Sequence, residues 1–308
     1  ETGKFSLQAN ASCTVRYGDT VILATACMSK NTRDGIDFFP LMVNFEEKLY
    51  AAGKIKGSRF IKREGRPTED AILSGRLVDR TIRPLFDNDM RNDIQVILTA
   101  LSYDGENDPQ VPALVAASIA LSISSIPWNG PIGGVRVGRV GGEWKINPSS
   151  LERAASDVDL VISGTPEKVV MVEAGIKNVP EEQVLSAMKF GAENMAPVIE
   201  FIHKIQKEVG QKKHDYLANL SESEIKLREV EKKVKEMVES HVDDWIFNSI
   251  KKNRSERIAI VDRFAEAAKE MMVAEEVEEK NQKIVLGRVK VYVEEHISNA
   301  ILKSEKRL

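Results

Sequence analysis

The densest run of groups able to do chemistry is Lys54 to Phe86, KIKGSRFIKREGRPTEDAILSGRLVDRTIRPLF. It sets nine basic residues (Lys54, Lys56, Arg59, Lys62, Arg63, Arg66, Arg76, Arg80 and Arg83) against four acids (Glu64, Glu69, Asp70 and Asp79). The Gly- and Lys-rich first half suits an exposed loop. Thr68 followed by Glu69 and Asp70 has the pattern of a helix N-terminus, a hydroxyl cap with acids at the positive end of the dipole. Arg76, Arg80 and Arg83 then fall at i, i+4 and i+7, on one face of one helix. Three like charges in a row repel unless something neutralises them, and a polyanion backbone is such a partner. Phe60 in the loop offers a ring on which a base can stack. The structural alternative is salt bridges to neighbouring elements, with Asp79 at hand. Arg136 and Arg139 are basic residues outside this stretch against which the loop can be compared.

Other clusters point less sharply. Asp157 and Asp159 alternate along a strand-like segment, so they share a side and could hold a cation; a solvated strand end explains them as well. Asp104, Glu106 and Asp108 also alternate, but Asp-Gly-Glu-Asn-Asp reads as a turn. Two cysteines, Cys13 and Cys27, supply neither a disulfide framework nor a metal quartet, which leaves reduced cytosolic thiols as the expectation. His241 and His296 sit in helical patterns and read as surface or packing residues. The net charge of −3 means that any nucleic-acid contact is local. A length of 308 residues with 42% apolar and 30% charged side chains describes an ordinary globular chain of about two domains. No apolar run is long enough to predict a transmembrane helix, and no signal peptide is visible.

The elements that must position these groups follow from periodicity. Strands are expected over Phe5–Ala9, Ser12–Tyr17, Thr20–Met28 and Phe38–Asn44, the second and third joined by a tight turn at Gly18-Asp19. After the arginine helix come a buried strand over Asp93–Leu101 and a core helix over Pro109–Ser124. A hairpin is expected over Val135–Val140 and Trp144–Ile146 around Gly141-Gly142, then strands over Asp159–Ser163 and Lys168–Glu173. A long helix opens at Pro180 and runs to about Val209, with a kink expected at Pro197. Gly210 to Asn219 reads as a linker. Beyond Ser221 glycine nearly vanishes. Apolar residues recur every three or four positions over Leu227–Val242, Ile258–Met272 and Val285–Ile301, which predicts a small all-helical domain with no chemistry of its own.

The block FIKREGRP followed by GRLVDRTIRPLF, with DFFPLMVNFEEKLYAAGKI before it and IPWNGPIGGVRVG after it, resembles the bacterial polynucleotide phosphorylase family. The likeness covers nearly the whole chain and is weakest after about Tyr216. It implies an α+β fold: a ribonuclease PH-like (ribosomal S5 domain 2-like) half over residues 1–215, with a core over 1–130 and a C-terminal part over 131–215. A small all-α domain over 216–308 follows. It further implies a phosphorolytic 3′-to-5′ exoribonuclease of mRNA turnover, cytoplasmic and homotrimeric, with RNA-degradation complex partners and no membrane. Its substrates are single-stranded RNA and inorganic phosphate, and its products are nucleoside diphosphates. The chain does not open on Met, and it ends at Lys306-Arg307-Leu308 where the family's second copy begins. The expectation is therefore a fragment.

The resemblance also says where chemistry should be, and this copy departs from it. Magnesium and catalysis are expected in a second copy. There a serine-rich turn binds phosphate ahead of the helix that is Pro109–Ser124 here; this chain has Asp108, Pro109 and Gln110 instead, a negative charge and a missing N–H. The family's acid, acid and lysine ahead of a Gly-Thr turn align with Arg153, Asp159 and Val161. No catalytic or metal-binding residue is therefore expected in this half. RNA-gripping is expected of Phe60, Lys62, Arg63, Arg66, Arg76, Arg80 and Arg83, with Lys62 and Arg63 matching the family's paired basic residues at a central channel. The rival reading is a non-catalytic RNA-binding scaffold of an exosome-like ring.

Overall fold

The computed structural model describes residues 1–33, 36, 38–55, 57, 65–216, 222–248 and 254–305. They divide into two compact units, the first running to Asp215 and the second from Tyr216.

The first unit holds two four-stranded sheets. In one, β1 (Ala11–Tyr17), β2 (Thr20–Thr32), β3 (Leu41–Glu46) and β4 (Asn92–Ser102) lie in the order β1-β2-β4-β3. Pairing is antiparallel except between β3 and β4. A parallel pair needs a crossover, and helix α1 (Glu69–Ile82) supplies it. In the other sheet β5 (Gly133–Val140), β6 (Glu143–Ile146), β7 (Val158–Gly164) and β8 (Val169–Ile176) lie in the antiparallel order β6-β5-β7-β8. Helix α2 (Gln110–Ile123) is apolar on nearly every side, as a helix buried all round must be. It packs against β1, β2, β5 and the long helix α4 (Glu181–Val209), which contains Pro197.

The hairpin at Gly18-Asp19 forms as expected. Gly18 has φ +60°, and a Cβ there would meet the Asn107 amide at 2.3 Å, so the turn requires glycine. Thr68 caps α1 by accepting from the Ala71 N–H at 3.1 Å. A short helix that periodicity misses, α3 (Ser150–Ala155), carries a reciprocal capping box between Ser149 and Glu152.

Two strand expectations change. Residues Phe5–Ala9 form bends and a turn, with Ser6 at φ +53° and Leu7 exposed, so no sheet face is there to bury them. The third strand starts at Leu41, after Pro40, which has no N–H for a ladder, and continues to Glu46. The linker expectation changes too. Gln211 and His214 donate backbone N–H bonds to the carbonyls of Ile123 and Ser125. Lys213 Nζ donates to the carbonyls of Leu121, Ser122 and Ser124 at 2.7, 3.1 and 2.8 Å, satisfying the end of α2. Burial pushes the Lys213 ammonium down to about 8. Residues up to 215 are thus strapped to the first unit.

The second unit comprises α5 (Glu222–Val242), a π-helical segment at Asp243–Phe247, α6 (Arg254–Ala274) and α7 (Glu279–Ser304). Its core includes Val230, Val234, Val238, Phe264, Met272, Val285, Val289 and Val293, the faces the three-four spacing predicts. His241 is a packing residue: its ring lies 4.7 Å from Trp245, and Nδ1 pairs with the Met237 carbonyl. His296 is half-buried on α7.

Candidate functional site

The basic stretch divides. Phe60, Lys62 and Arg63 lie outside the described residues. Arg66 is exposed in the wall of an open cleft of about 1020 Å³ that it shares with Lys48, Lys54, Glu47, Asp70 and Arg153. On α1, Arg76 is exposed and makes no ion pair with a described residue. Arg80 approaches Glu173 of β8 at 3.5 Å, with both side chains more than half exposed. Arg83 is different. It stands just past the end of α1, 2.8 Å from Asp79, and donates to the carbonyls of Phe39 (3.3 Å) and Leu41 (3.1 Å) with its guanidinium over the Phe39 ring. The one-face stripe therefore does not persist: Arg83 ties α1 to the start of β3, by way of the Asp79 pairing that was its structural alternative.

Along the same cleft, the residues aligned with phosphate and metal chemistry have closed on one another. Asp108 precedes α2 and accepts from the Gln110 N–H at 2.8 Å, satisfying one orphan donor of the helix start. Its second oxygen takes Arg153 at 2.5 Å and Arg136 at 3.4 Å. Asp159 on β7 accepts from Arg136 through one oxygen and from Arg153 Nε, at 2.6 Å, through the other. Arg136 also donates to Gln110 Oε1, and Gln110 Nε2 donates to Ser74 of α1 at 3.0 Å. Two arginines and two aspartates thus form a neutral ring joining β5, β7, α3 and the start of α2. Arg136 is only 3% exposed, and a buried guanidinium survives only when paired.

These carboxylates do not fit a magnesium ion, because each oxygen of Asp159 already receives a guanidinium N–H. Asp157 is spent likewise: Arg139 donates to it through Nε at 2.8 Å and through a second nitrogen. That hydrogen bond from Arg139 holds the Asp157 carboxyl below the usual carboxylate range, burial opposing it. Among the described residues no group of three or more His, Cys, Asp or Glu is placed to hold a metal ion. Asp104 is a turn residue, as expected. Desolvation pushes its carboxyl up, but bonds from Asn107, Glu106 and Asp19 outweigh it and hold the group well below its ordinary value.

Arg136 and Arg139 are consequently not free basic residues, and they cannot serve as a neutral comparison for the loop. The ring itself is missed by sequence reasoning, although Arg136 on one strand and Asp159 on its neighbour, opposite in charge, are its signal.

Domain 1 of the 3′ exoribonuclease family matches residues 1–127, and domain 2 matches residues 130–194. A polyribonucleotide nucleotidyltransferase of Caldicellulosiruptor saccharolyticus is 50% identical over 237 residues, 77% of this chain and 33% of the relative. Those of Heliobacterium modesticaldum and Pelotomaculum thermopropionicum are 47% and 54% identical over 81% and 68% of this chain, and 34% and 28% of their own. The chain thus spans about a third of the length of the curated relatives it matches. Rice (Oryza sativa) Rrp46 superposes with a TM-score of 0.56 at 15% identity, covering 67% of this chain and 92% of its own. An Archaeoglobus fulgidus exosome structure, with RNA bound to its active site, gives 0.52 at 20% identity over 65% and 85%. Both share the fold of the first unit. Two consecutive family domains, on two sheets packed around α2, place this chain in the 3′ exoribonuclease family.

Proposed function

We propose that this chain is the non-catalytic, RNA-gripping half of a phosphorolytic 3′-to-5′ exoribonuclease. In that reaction a phosphate oxygen attacks the 3′-terminal phosphorus of single-stranded RNA and the bond to the preceding 3′-oxygen breaks. That oxygen takes a proton, and a nucleoside diphosphate leaves. Magnesium would be held by a second ribonuclease PH-like copy, where it would stabilise charge developing on the phosphoryl oxygens. The intact protein is a cytoplasmic homotrimer that works with RNA-degradation partners. One observation carries the division of labour: the ring of Asp108, Arg136, Arg153 and Asp159 consumes the charges that phosphate and metal would otherwise use.

The gripping role rests on Lys62 and Arg63, with Phe60, Arg66 and the exposed Arg76 as further contacts. Each phosphate contact on a single strand contributes roughly 0.7 to the slope of log affinity against log salt. In the intact protein, Lys62→Ala with Arg63→Ala is expected to weaken binding of every RNA sequence and to flatten that slope by roughly one to two units. The comparison is Lys204→Ala with Lys207→Ala, two exposed lysines of α4. Equal losses from both pairs would remove any special role for the loop. The ion-paired cleft also suits a non-catalytic scaffold of an exosome-like ring; phosphorolysis by the intact native protein excludes that reading.

A further inference from the structure

Strand β1 is an edge of its sheet, paired with β2 on one side only. Part of its other side is taken by the start of the chain. The Glu1 nitrogen donates to the Thr14 carbonyl at 2.9 Å, and the Thr14 N–H donates to the Glu1 carbonyl at 2.8 Å. Thr2 bridges to Cys13 in the same antiparallel sense. An exchange of both bonds marks a hydrogen-bonded pair, and such pairs recur at every second residue. The next one along β1 falls at Arg16, whose N–H and C=O point away from β2 as those of Thr14 do. Among the described residues no backbone bond reaches Arg16 from that side. An open edge of this kind is a template for another strand.

Beside that open end lies a cavity of about 320 Å³ within the first unit, where β1 meets α2, β5 and α4. Val15, Val111, Val115 and Val198 stand in its walls. Arg16, Asn107 and Asn147 line it too, and each has partners within the fold. Arg16 donates to the Gly18 carbonyl at 2.8 Å and to Asp19, Asn107 donates to Asp104 at 2.6 Å, and Asn147 accepts from the Arg136 N–H at 2.9 Å. Large apolar groups are left uncovered: Tyr17 and Phe201 are 42% and 55% exposed. Side chains alternate along β1. Ala11 and Cys13 are buried on the side of α2, Cys13 bonding to the Ala116 carbonyl, so Val15 and Tyr17 share that side. Directly opposed residues of an antiparallel pair point to the same face. A strand continuing the Glu1–Thr14 register sets the first residue ahead of Glu1 opposite Val15, the second opposite Arg16 and the third opposite Tyr17. The first and third then face the cavity. The second faces away and exchanges both backbone bonds with Arg16.

We propose that the open end of β1 and this cavity are one docking site for an extended strand with apolar residues at alternate positions, and that its occupant is the stretch that the intact protein joins directly ahead of Glu1. Continuity with the Glu1–Thr14 pairing selects this occupant. It is already in register, and its tether holds it beside the edge at about millimolar effective concentration, which a free peptide lacks. The Glu1 nitrogen, as an amide, keeps the proton that bonds Thr14. The reading is independent of the function proposed above. The test is made on the intact native protein and its variants. The Arg16 amide should exchange with solvent about tenfold or more slower than in the same protein lacking the stretch ahead of Glu1. Asp at the first or third position ahead of Glu1 should lower the folding equilibrium constant about tenfold or more, read in urea on the transition of the first unit, and Asp at the second position much less. Where an Asp variant fails to fold, Ala at the same position, which empties the cavity without adding a charge, should give the same order of effects. Equal effects at the three positions, or an Arg16 amide that exchanges no slower with the stretch present, would overturn the proposal. So would protection of Arg16 that grows with protein concentration, which would make the occupant a second copy.

Discussion

Replacing Asp159 by Asn keeps the shape of the side chain and removes the charge that two guanidiniums share. Breaking a fully buried ion pair by removing one partner costs about 3–5 kcal/mol, because the other charge is stranded. Here the Asp159 side chain keeps 27% of its exposure and Asp108 still faces Arg136, so about 2–3 kcal/mol is expected. Arg153 is 38% exposed, and Arg153→Met alone should cost only about 1 kcal/mol. The two changes together restore neutrality, leaving Arg136 with Asp108. The double variant should therefore be more stable than the sum of the single losses predicts, by about 1–2 kcal/mol. Urea unfolding of each variant, read on the transition of the first unit, measures this, and phosphorolysis by the intact protein is measured well below the melting temperature. A structural ring predicts lower stability at unchanged rate. Strict additivity would show that charge balance is not what holds the ring. A loss of phosphorolysis by orders of magnitude with stability intact would show Asp159 to be catalytic.

Three further outcomes follow from the same contacts. The 308-residue chain incubated with single-stranded RNA, phosphate and magnesium should release no nucleoside diphosphate above background; release abolished by Asp159→Ala would mean the copy is active. The hydrogen bond from Lys145, then that from the Ser149 N–H, pulls the Glu152 carboxyl from 4.5 down to about 2. Its contribution is therefore complete above pH 4.5 and is lost as pH falls toward 2, so melting curves of the native chain and Glu152→Gln should converge across that window. Finally, Arg83→Ala should lower stability by about 1–3 kcal/mol, since it strips a charged donor from Asp79 and two carbonyls. Arg76→Ala should stay within about 0.5 kcal/mol, and chemical denaturation separates the two.

Local chemistry made much of the fold legible. The β1–β2 hairpin is written in Gly18-Asp19, the start of α1 in Thr68-Glu69-Asp70, and the helical unit in the spacing of its valines. The ribonuclease PH-like half was legible through long blocks of residues in order. What could not be read depends on partners far apart in the chain. Arg83 falls on the arginine stripe by spacing, yet the helix stops one residue earlier with Pro84 following, and the side chain turns to Asp79 and to β3. The ring joins residues 108, 136, 153 and 159: the pairing of β5 with β7 brings Arg136 to Asp159, and the start of α2 and helix α3 add Asp108 and Arg153. Capping at Ser149 was present in the sequence as Ser-x-x-Glu, but helix α3 is too short for periodicity to register.

The clasp of Lys213 at one end of α2 has a consequence when set beside Asp108 and Gln110 at the other. Helices normally open from their tips, where terminal amides and carbonyls lack partners. This helix has its first N–H held by a carboxylate that is itself bound to two arginines, and its last carbonyls held by a lysine. Neither tip is a cheap place to begin. Exposure of its amides to solvent thus requires the strap, the ring or the whole first unit to give way. That makes α2 the segment from which proton exchange should be slowest, and it couples the chain's exit toward the helical unit to the deepest part of the core.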